Sequence, residues 1–500
     1  MPRIPLLSGS RLVIVTAPDD AVVLRPPPPG PGVADVAAAV RDALRFPLEG
    51  EPLEALVGRR ARATILVETP ALPLPGSPQD PRQLAVVAVI EELERLGIET
   101  GYQTILVTSG LARRAGQRDV ETLVTPETAR RFHGRVVVHD VADPDLVTIG
   151  EHEGRPLRVN PALVDTELVV VVTAAETVVH GGPATLLAAG GAEALRAVAS
   201  TSLLETSGSP GWAAAVALER ALARRVPLVG ASIVLHHPIV SGALRGYPYE
   251  PEALERIASS PLRHLFGAVP GGVRQRILRA VPIELTVAAA FAGPPSVAHA
   301  EALLRAVELR YAELDRPLDA LVVGVPRVTP YLPRERPNPL LASYMGLGLA
   351  LRLWRNAFPV APGGTAVLLN RFTRHFAHPT QQPYRAFFNA LRAPGTREEL
   401  LADAERAAAE DARGLEMYRS GRACHPLLPF RDWESCRPAL DRLGTVLIAG
   451  CRDGVAARQL GFVPAHGVGA ALDMARAQAG EGARIGFLLS PPYFPLRVGG

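Results

Sequence analysis

The sequence predicts an α/β protein of two doubly wound, largely parallel-sheet domains with an interdomain cleft. Short runs of Val, Ile and Leu recur along its 500 residues without polar alternation, which suits strands covered on both faces. Helix-period segments separate these runs, the rhythm of parallel strands joined by crossover helices. The chain is also too long for one typical core, so two domains are expected.

In chain order the expected strands of the first half are Leu12–Thr16, Ala63–Thr69, Thr104–Gly110, Arg135–Asp140 and Glu167–Ala174. Between them, 80–97 reads as an amphipathic helix with Asp80 suited to its N-cap and Gly97 closing it, and 211–226 reads as a second. The rhythm returns at Leu318–Val325, Gly363–Asn370, Gly444–Gly450 and Arg484–Ser490. A Gly-Pro-Pro break at Gly293–Pro295 places the boundary near 295, giving domains 1–295 and 296–500. The run RPPPPGPG (Arg25–Gly32) is a stiff polyproline spacer expected in a surface loop.

Composition narrows the function. Hydrophobic residues make up 48% and charged residues 21%, as in a folded, core-rich protein. The basic residues are scattered instead of blocked, so no nucleic-acid partner is expected. Apolar runs stop at strand length, so no membrane partner is expected either. No export signal is read at the start, and three cysteines (Cys424, Cys436, Cys451) without metal-ligand spacing fit a reduced, cytoplasmic setting. The chain contains no lysine: all 53 of its Lys+Arg residues are arginine. A Schiff base, a P-loop lysine and any cofactor tethered through a lysine amine are therefore excluded.

The stretch VVHGGPATLLAAGGAEALRA (Val178–Ala197) suggests a ligand site, because a buried-strand run ends in His180 and two Gly-Gly pairs bracket a small-residue turn before a helix. In open parallel sheets ligands collect beyond the carboxyl ends of strands. Three such edges stand out here: Val67–Asp80, Thr108–Gly116 and the segment after Leu168–Ala174.

The order and spacing of these three loops resemble the nickel-dependent lactate racemase family. Val136–Asn160, Asp42–Val57 and Asn338–Asn370 are similar to further family segments, so the likeness covers nearly the whole chain. The resemblance implies a two-domain fold whose cleft holds a nickel pincer nucleotide and racemises or epimerises 2-hydroxy acids by moving a hydride off and back onto one carbon. That chemistry needs a lysine tether, a nickel histidine, two acid/base histidines and cations for the substrate carboxylate.

Position by position, this chain departs from the family. Its Thr-Arg-Pro-x-Pro loop corresponds to Ala71, Leu72, Pro73, Leu74 and Pro75, with leucine for arginine. Gly-x-His-Arg corresponds to Gly110, Leu111, Ala112 and Arg113, with alanine for histidine. After His180, Gly190 and Gly191 lead to Ala192 and Glu193, with glutamate at the tether. Ser200–Trp212 offers no nickel histidine, and Ala342–Ala350 is uncharged where the family has a second lysine.

From the resemblance, His180 is the expected catalytic residue, Gly181, Gly182, Gly190 and Gly191 the expected cofactor-binding turn, and Arg113 and Arg114 the expected substrate-binding arginines. No metal ligand is assigned. A nickel pincer nucleotide, if present, is held noncovalently. A lone histidine at a strand end is more often a hydrogen-bonded structural residue than a catalyst. His236, His237, His375, His378 and His425 read as loop and turn histidines in preference to a metal or hydrolase site. Arg327, Arg334 and Arg336 flank expected cleft loops and could grip an acid, although solvated arginines are the commoner outcome. Tyr418–Cys436 reads as a lid or interface loop. Two functions follow: a divergent racemase or epimerase, or an inactive relative whose cleft binds a small anionic metabolite, a nucleotide or a protein partner.

Overall fold

The computed structural model describes residues 2–58, 61–73, 80–197, 200–327, 337–376, 378–391, 397–480 and 482–499. Leu74, Pro75, Arg334 and Arg336 lie outside the described residues. Three strands precede the first helix: β1 (Arg3–Ser8), β2 (Arg11–Thr16) and β3 (Val22–Leu24). The first half continues with β4 (Ala63–Glu68), β5 (Gln103–Thr108), β6 (Arg135–Val138), β7 (Leu168–Ala174), β8 (Leu228–Leu235) and β9 (Val287–Gly293). The second half supplies β10 (Leu318–Gly324), β11 (Val360–Leu369), β12 (Thr445–Ala449), β13 (Val463–Ala465) and β14 (Ile485–Leu488).

Two six-stranded sheets result, in the orders β9-β8-β7-β4-β5-β6 and β13-β12-β11-β10-β14-β3. Every pairing in them is parallel except that of β9 with β8. The uninterrupted apolar runs account for this. All seven residues of β7 are buried, as a strand covered by helices on both faces requires. The expected crossover helices form at Arg82–Arg95 and Pro210–Ala223. Asp80 accepts the Arg82 N–H at 2.9 Å, and Gly97 closes the first helix at φ +95°. One buried apolar cluster runs from Leu66, Leu106 and Val171 through Leu303 to Leu321 and Leu368, so the halves share a core.

The chain does not divide at 295 as expected. The helix Pro295–Arg310 packs on β8 and β9 and belongs to the first sheet. The first 24 residues belong to the second: β3 pairs with β14, and the β1–β2 turn is held by Gly9 N–H to Val325 O (2.8 Å) and Arg327 N–H to Gly9 O (3.1 Å). Leu12–Thr16 is accordingly a hairpin strand, antiparallel to β1. Arg25–Gly32 then leads from β3 toward the helix Val36–Arg45, so the polyproline segment is the first crossing between sheets. A short apolar strand carries no mark of which sheet will accept it, and only long-range pairing settled this.

Each sheet has one point where the strand order reverses, between β4 and β7 in the first and between β10 and β14 in the second. The second is plugged by the hairpin. A side chain on Gly324 would stand 2.6 Å from Leu7 O and 2.7 Å from Ser490 Oγ, and Leu7 N–H donates to Ser490 Oγ at 3.0 Å.

Among the described residues no helix is long and apolar enough to cross a membrane. Glu219 ties two helices of the first sheet by accepting from Ser296 N–H and Ser296 Oγ, both at 2.9 Å. Burial pushes its carboxyl up to about 7, against those two hydrogen bonds. The folded protein therefore retains a proton that the unfolded chain releases near 4.5, and stability is lost as pH rises through that window. Equilibrium unfolding of wild type and Glu219→Gln at pH 5 and pH 8 should show the variant gaining on wild type at the higher pH. A pH-independent difference contradicts the assignment.

Candidate functional site at the first switch point

β4 and β7 run side by side in register from Ala63↔Leu168 to Val67↔Val172, so their carboxyl ends deliver Glu68 and the segment Ala175–Glu176–Thr177 to one place. A tight turn follows, bridged between Thr177 and His180, and Gly181 and Gly182 lead into the helix Pro183–Ala188. His180 Nδ1 lies 3.2 Å from Glu68 Oε1. The other carboxylate oxygen accepts from Gly181 N–H (3.1 Å) and Thr185 Oγ1 (3.0 Å). Burial opposes charge on Glu68, but the His180 hydrogen bond and charge, with the Gly181 and Thr185 donors, outweigh it and hold the carboxyl below its ordinary value. An ionised Glu68 fixes the tautomer with the proton on His180 Nδ1 and leaves Nε2 to meet a ligand. His180 keeps 9% of its surface exposed, so access to it is narrow.

A second carboxylate organises the neighbouring loop. Glu176 pairs with the buried Arg82 at 2.9 Å and accepts Ala71 N–H at 2.9 Å, while Arg82 also pairs with Asp80 at 2.7 Å. Burial opposes charge on Arg82, but Asp80 and Glu176 together raise its pKa above the ordinary value. Glu176 thus pins the first loop, and Leu72, at the family's arginine position, is buried. Arg310 donates to Ala175 O at 3.2 Å, and burial lowers its pKa to about 10.

The glycines meet protein. A Cβ on Gly181 would lie 2.3 Å from His299 Cε1 and 2.9 Å from Ala174 O, and one on Gly182 would lie 2.3 Å from His299 Cβ. Both have positive φ, +90° and +53°. His299 is held there by Nε2–H to Thr177 O (3.0 Å), by Ser232 Oγ at its Nδ1 (3.2 Å) and by stacking on Trp212. Burial brings its pKa down to about 4, so the ring is neutral. Gly190 sits against Arg158 O, 2.6 Å from where its Cβ would be, and its carbonyl accepts from His139 Nε2 at 2.9 Å. A Cβ on Gly191 would make ordinary contact with Leu146 at 3.6 Å.

The two expected substrate arginines are committed to protein partners. Arg113 pairs with Asp119 at 2.8 Å. Arg114 donates to Val138 O (2.9 Å), His139 O (3.2 Å) and Arg419 O (2.8 Å). The last bond belongs to an interdomain seam that takes in part of Tyr418–Cys436: Val141 N–H donates to Tyr418 Oη at 3.4 Å, and His425 N–H donates to Leu111 O at 2.9 Å. Of the remaining histidines, His237 meets Tyr249 Oη at 2.8 Å and His378 caps a turn through Thr380. Among the described residues no group of three His, Cys, Asp or Glu side chains could hold a metal ion.

Sequence reasoning passed over Glu68, Glu176, Arg82 and His299. A signal existed for the first two, since VET and TAAE each place an acid where a buried strand ends. Nothing local marks His299, which lies in a helix more than a hundred residues beyond the turn it covers. Glu68→Ala should destabilise the fold by about 2–4 kcal/mol in urea unfolding, because it strands buried donors. That cost should shrink as pH falls below 4.5 through the depressed pKa of Glu68, where wild type also loses the charge. Gly182→Ala should cost on the order of 2 kcal/mol or more through positive φ and overlap with His299, whereas Gly191→Ala should lie within about 1 kcal/mol of wild type.

Residues 9–181 match the family model described as the lactate racemase N-terminal domain. Among solved structures, the lactate racemase apoprotein from Thermoanaerobacterium thermosaccharolyticum has a TM-score of 0.62 at 14% identity, covering 99% of each chain. A protein from Thermotoga maritima has a TM-score of 0.51 at 12% identity, covering 94% of this chain and 100% of that one. At such identities the structural likeness speaks for the fold alone. No curated protein matches the chain. The family-model match takes in Glu68, Arg82, Glu176 and His180, so the N-terminal part of the chain is similar to the lactate racemase N-terminal domain.

Proposed function

We propose that this protein binds a small organic acid at the β4–β7 switch point and does so without the covalently held nickel pincer nucleotide that its family resemblance implies. The observation that carries this reading is the tether position. Glu193 stands there, in a chain with no lysine to offer. The surroundings agree with it. Gly181 and Gly182, expected under the cofactor, are covered by His299, and Ala342–Ala350 is buried and uncharged. The residues present do not fit the group.

What remains is the Glu68-oriented His180. Its Nε2 can exchange a hydrogen bond with the hydroxyl of a 2-hydroxy acid. Glu68 serves as a positioning residue, holding the ring through its Nδ1. Buried Cys424 and Cys436 fit a reducing cytoplasm. A second reading, an epimerase that holds the nucleotide noncovalently, is favoured by one observation: His180 with its carboxylate has the form of an acid/base pair.

The test is thermal stabilisation and calorimetry with D- and L-lactate and longer 2-hydroxy acids, on protein co-expressed with the cofactor's biosynthetic enzymes and assayed for nickel. Saturable binding that weakens about tenfold or more in His180→Ala, in nickel-free protein, supports the proposal. Stoichiometric nickel with a chromophore released on denaturation replaces it with the second reading. Absence of both acid binding and nickel leaves a nucleotide or protein partner as the ligand.

A further inference from the structure

A polar cavity lies at the other sheet, independent of the first site. The carboxyl ends of β10, β11 and β12 deliver Arg327, Arg371 and Arg452 to one rim. The β1–β2 turn, anchored on Val325 and Arg327, brings Arg11 to it, and the helix Gly271–Arg279 adds Arg274. With His375 these residues line a cavity of about 500 Å³, a size suited to a small metabolite. Among the described residues its wall carries no carboxylate. Asp453, next to Arg452, is engaged by Arg374 at 2.5 Å and by Ala456 N–H at 3.0 Å.

The like charges of Arg11 and Arg274 meet at this cavity and repel, and the burial of Arg274 sharpens the cost. Arg274 shows this most plainly. Only 6% of it is exposed, and its Nη1 donates to the neutral carbonyls of Gly267 (2.8 Å) and Val269 (2.6 Å). Its Nε is buried with no hydrogen-bond partner. Burial, and then the charge of Arg11, lower its pKa from the ordinary value. Buried donors without acceptors are rare in native proteins and call for an explanation. A multiply charged oxyanion would supply acceptors and relieve the repulsion, and guanidinium forks match phosphate and carboxylate oxygens in pairs. The carboxyl ends of parallel strands are also where α/β sheets place their ligands.

We propose that this cavity binds a small polyanion bearing phosphate or clustered carboxylates, gripped by Arg11, Arg274 and Arg452. Calorimetry on the full chain at fixed ionic strength, with inorganic pyrophosphate and with citrate, tests it. Either probe should bind saturably and more weakly as salt rises. Arg11→Gln and Arg452→Gln should each raise Kd about tenfold, while the exposed Arg406→Gln, outside the cavity, leaves it unchanged. Arg11 and Arg452 are not fully buried, so circular dichroism should show both variants folded; Arg274→Gln serves as a third variant. Preference for pyrophosphate assigns a phosphorylated ligand, and preference for citrate a polycarboxylate. Binding of neither probe, or binding that survives both Arg11→Gln and Arg452→Gln unchanged, overturns the proposal. His180→Ala should not affect this binding, which separates failure here from failure at the first site.

Discussion

The close approach of His299 to the bare Cα atoms of Gly181 and Gly182 is the contact on which the first site depends. It joins the helix Pro295–Arg310 to the turn after β7, and any side chain at either glycine would overlap the ring. The turn so held presents Gly181 N–H and His180 to Glu68. A dinucleotide-type glycine turn keeps its glycines open so that a phosphate can approach the backbone. Here the imidazole stands in that space, neutral and fully hydrogen-bonded, so the same sequence feature serves packing.

Charge is handled differently at the two switch points. In the first, buried charges have partners: Glu68 is hydrogen-bonded by His180, Gly181 and Thr185, and Arg82 pairs with Glu176 and Asp80. Such pairs add little net stability against apolar replacements, but removing one partner is costly, so they fix one arrangement of the loops. The second crevice is closed by backbone from the N-terminal hairpin, and five arginines gather to one side of it. The family's lysines are absent from both places. The first sheet carries a hydrogen-bonded Glu68–His180 pair, and the second carries a rim of arginines.

Much of the fold was legible in the sequence because buried parallel strands are written as continuous apolar runs. Ala63–Glu68, Gln103–Thr108, Arg135–Val138 and Leu168–Ala174 all form where the pattern placed them, as do the later strands at Leu318–Gly324 and Thr445–Ala449. Partnership was not legible. Val22–Leu24 joins a sheet whose other strands lie some three hundred residues or more away, and Leu12–Thr16 turns back on β1. In the site, His180 was readable as a residue at a strand end, while its carboxylate came from a different strand. Arg113 and Arg114 are adjacent to the expected loop, yet Asp119 and three backbone carbonyls claim them.

By itself the sequence determined the strand and helix rhythm, the kinship of the N-terminal domain and the exclusion of lysine chemistry, since each rests on residue identity or local period. Tertiary structure alone decided which carboxylate meets His180, what covers the glycines, which switch point the N-terminal hairpin closes and where five arginines converge. Those outcomes are set by strand order and long-range packing, and a residue's neighbours in the chain carry no record of them.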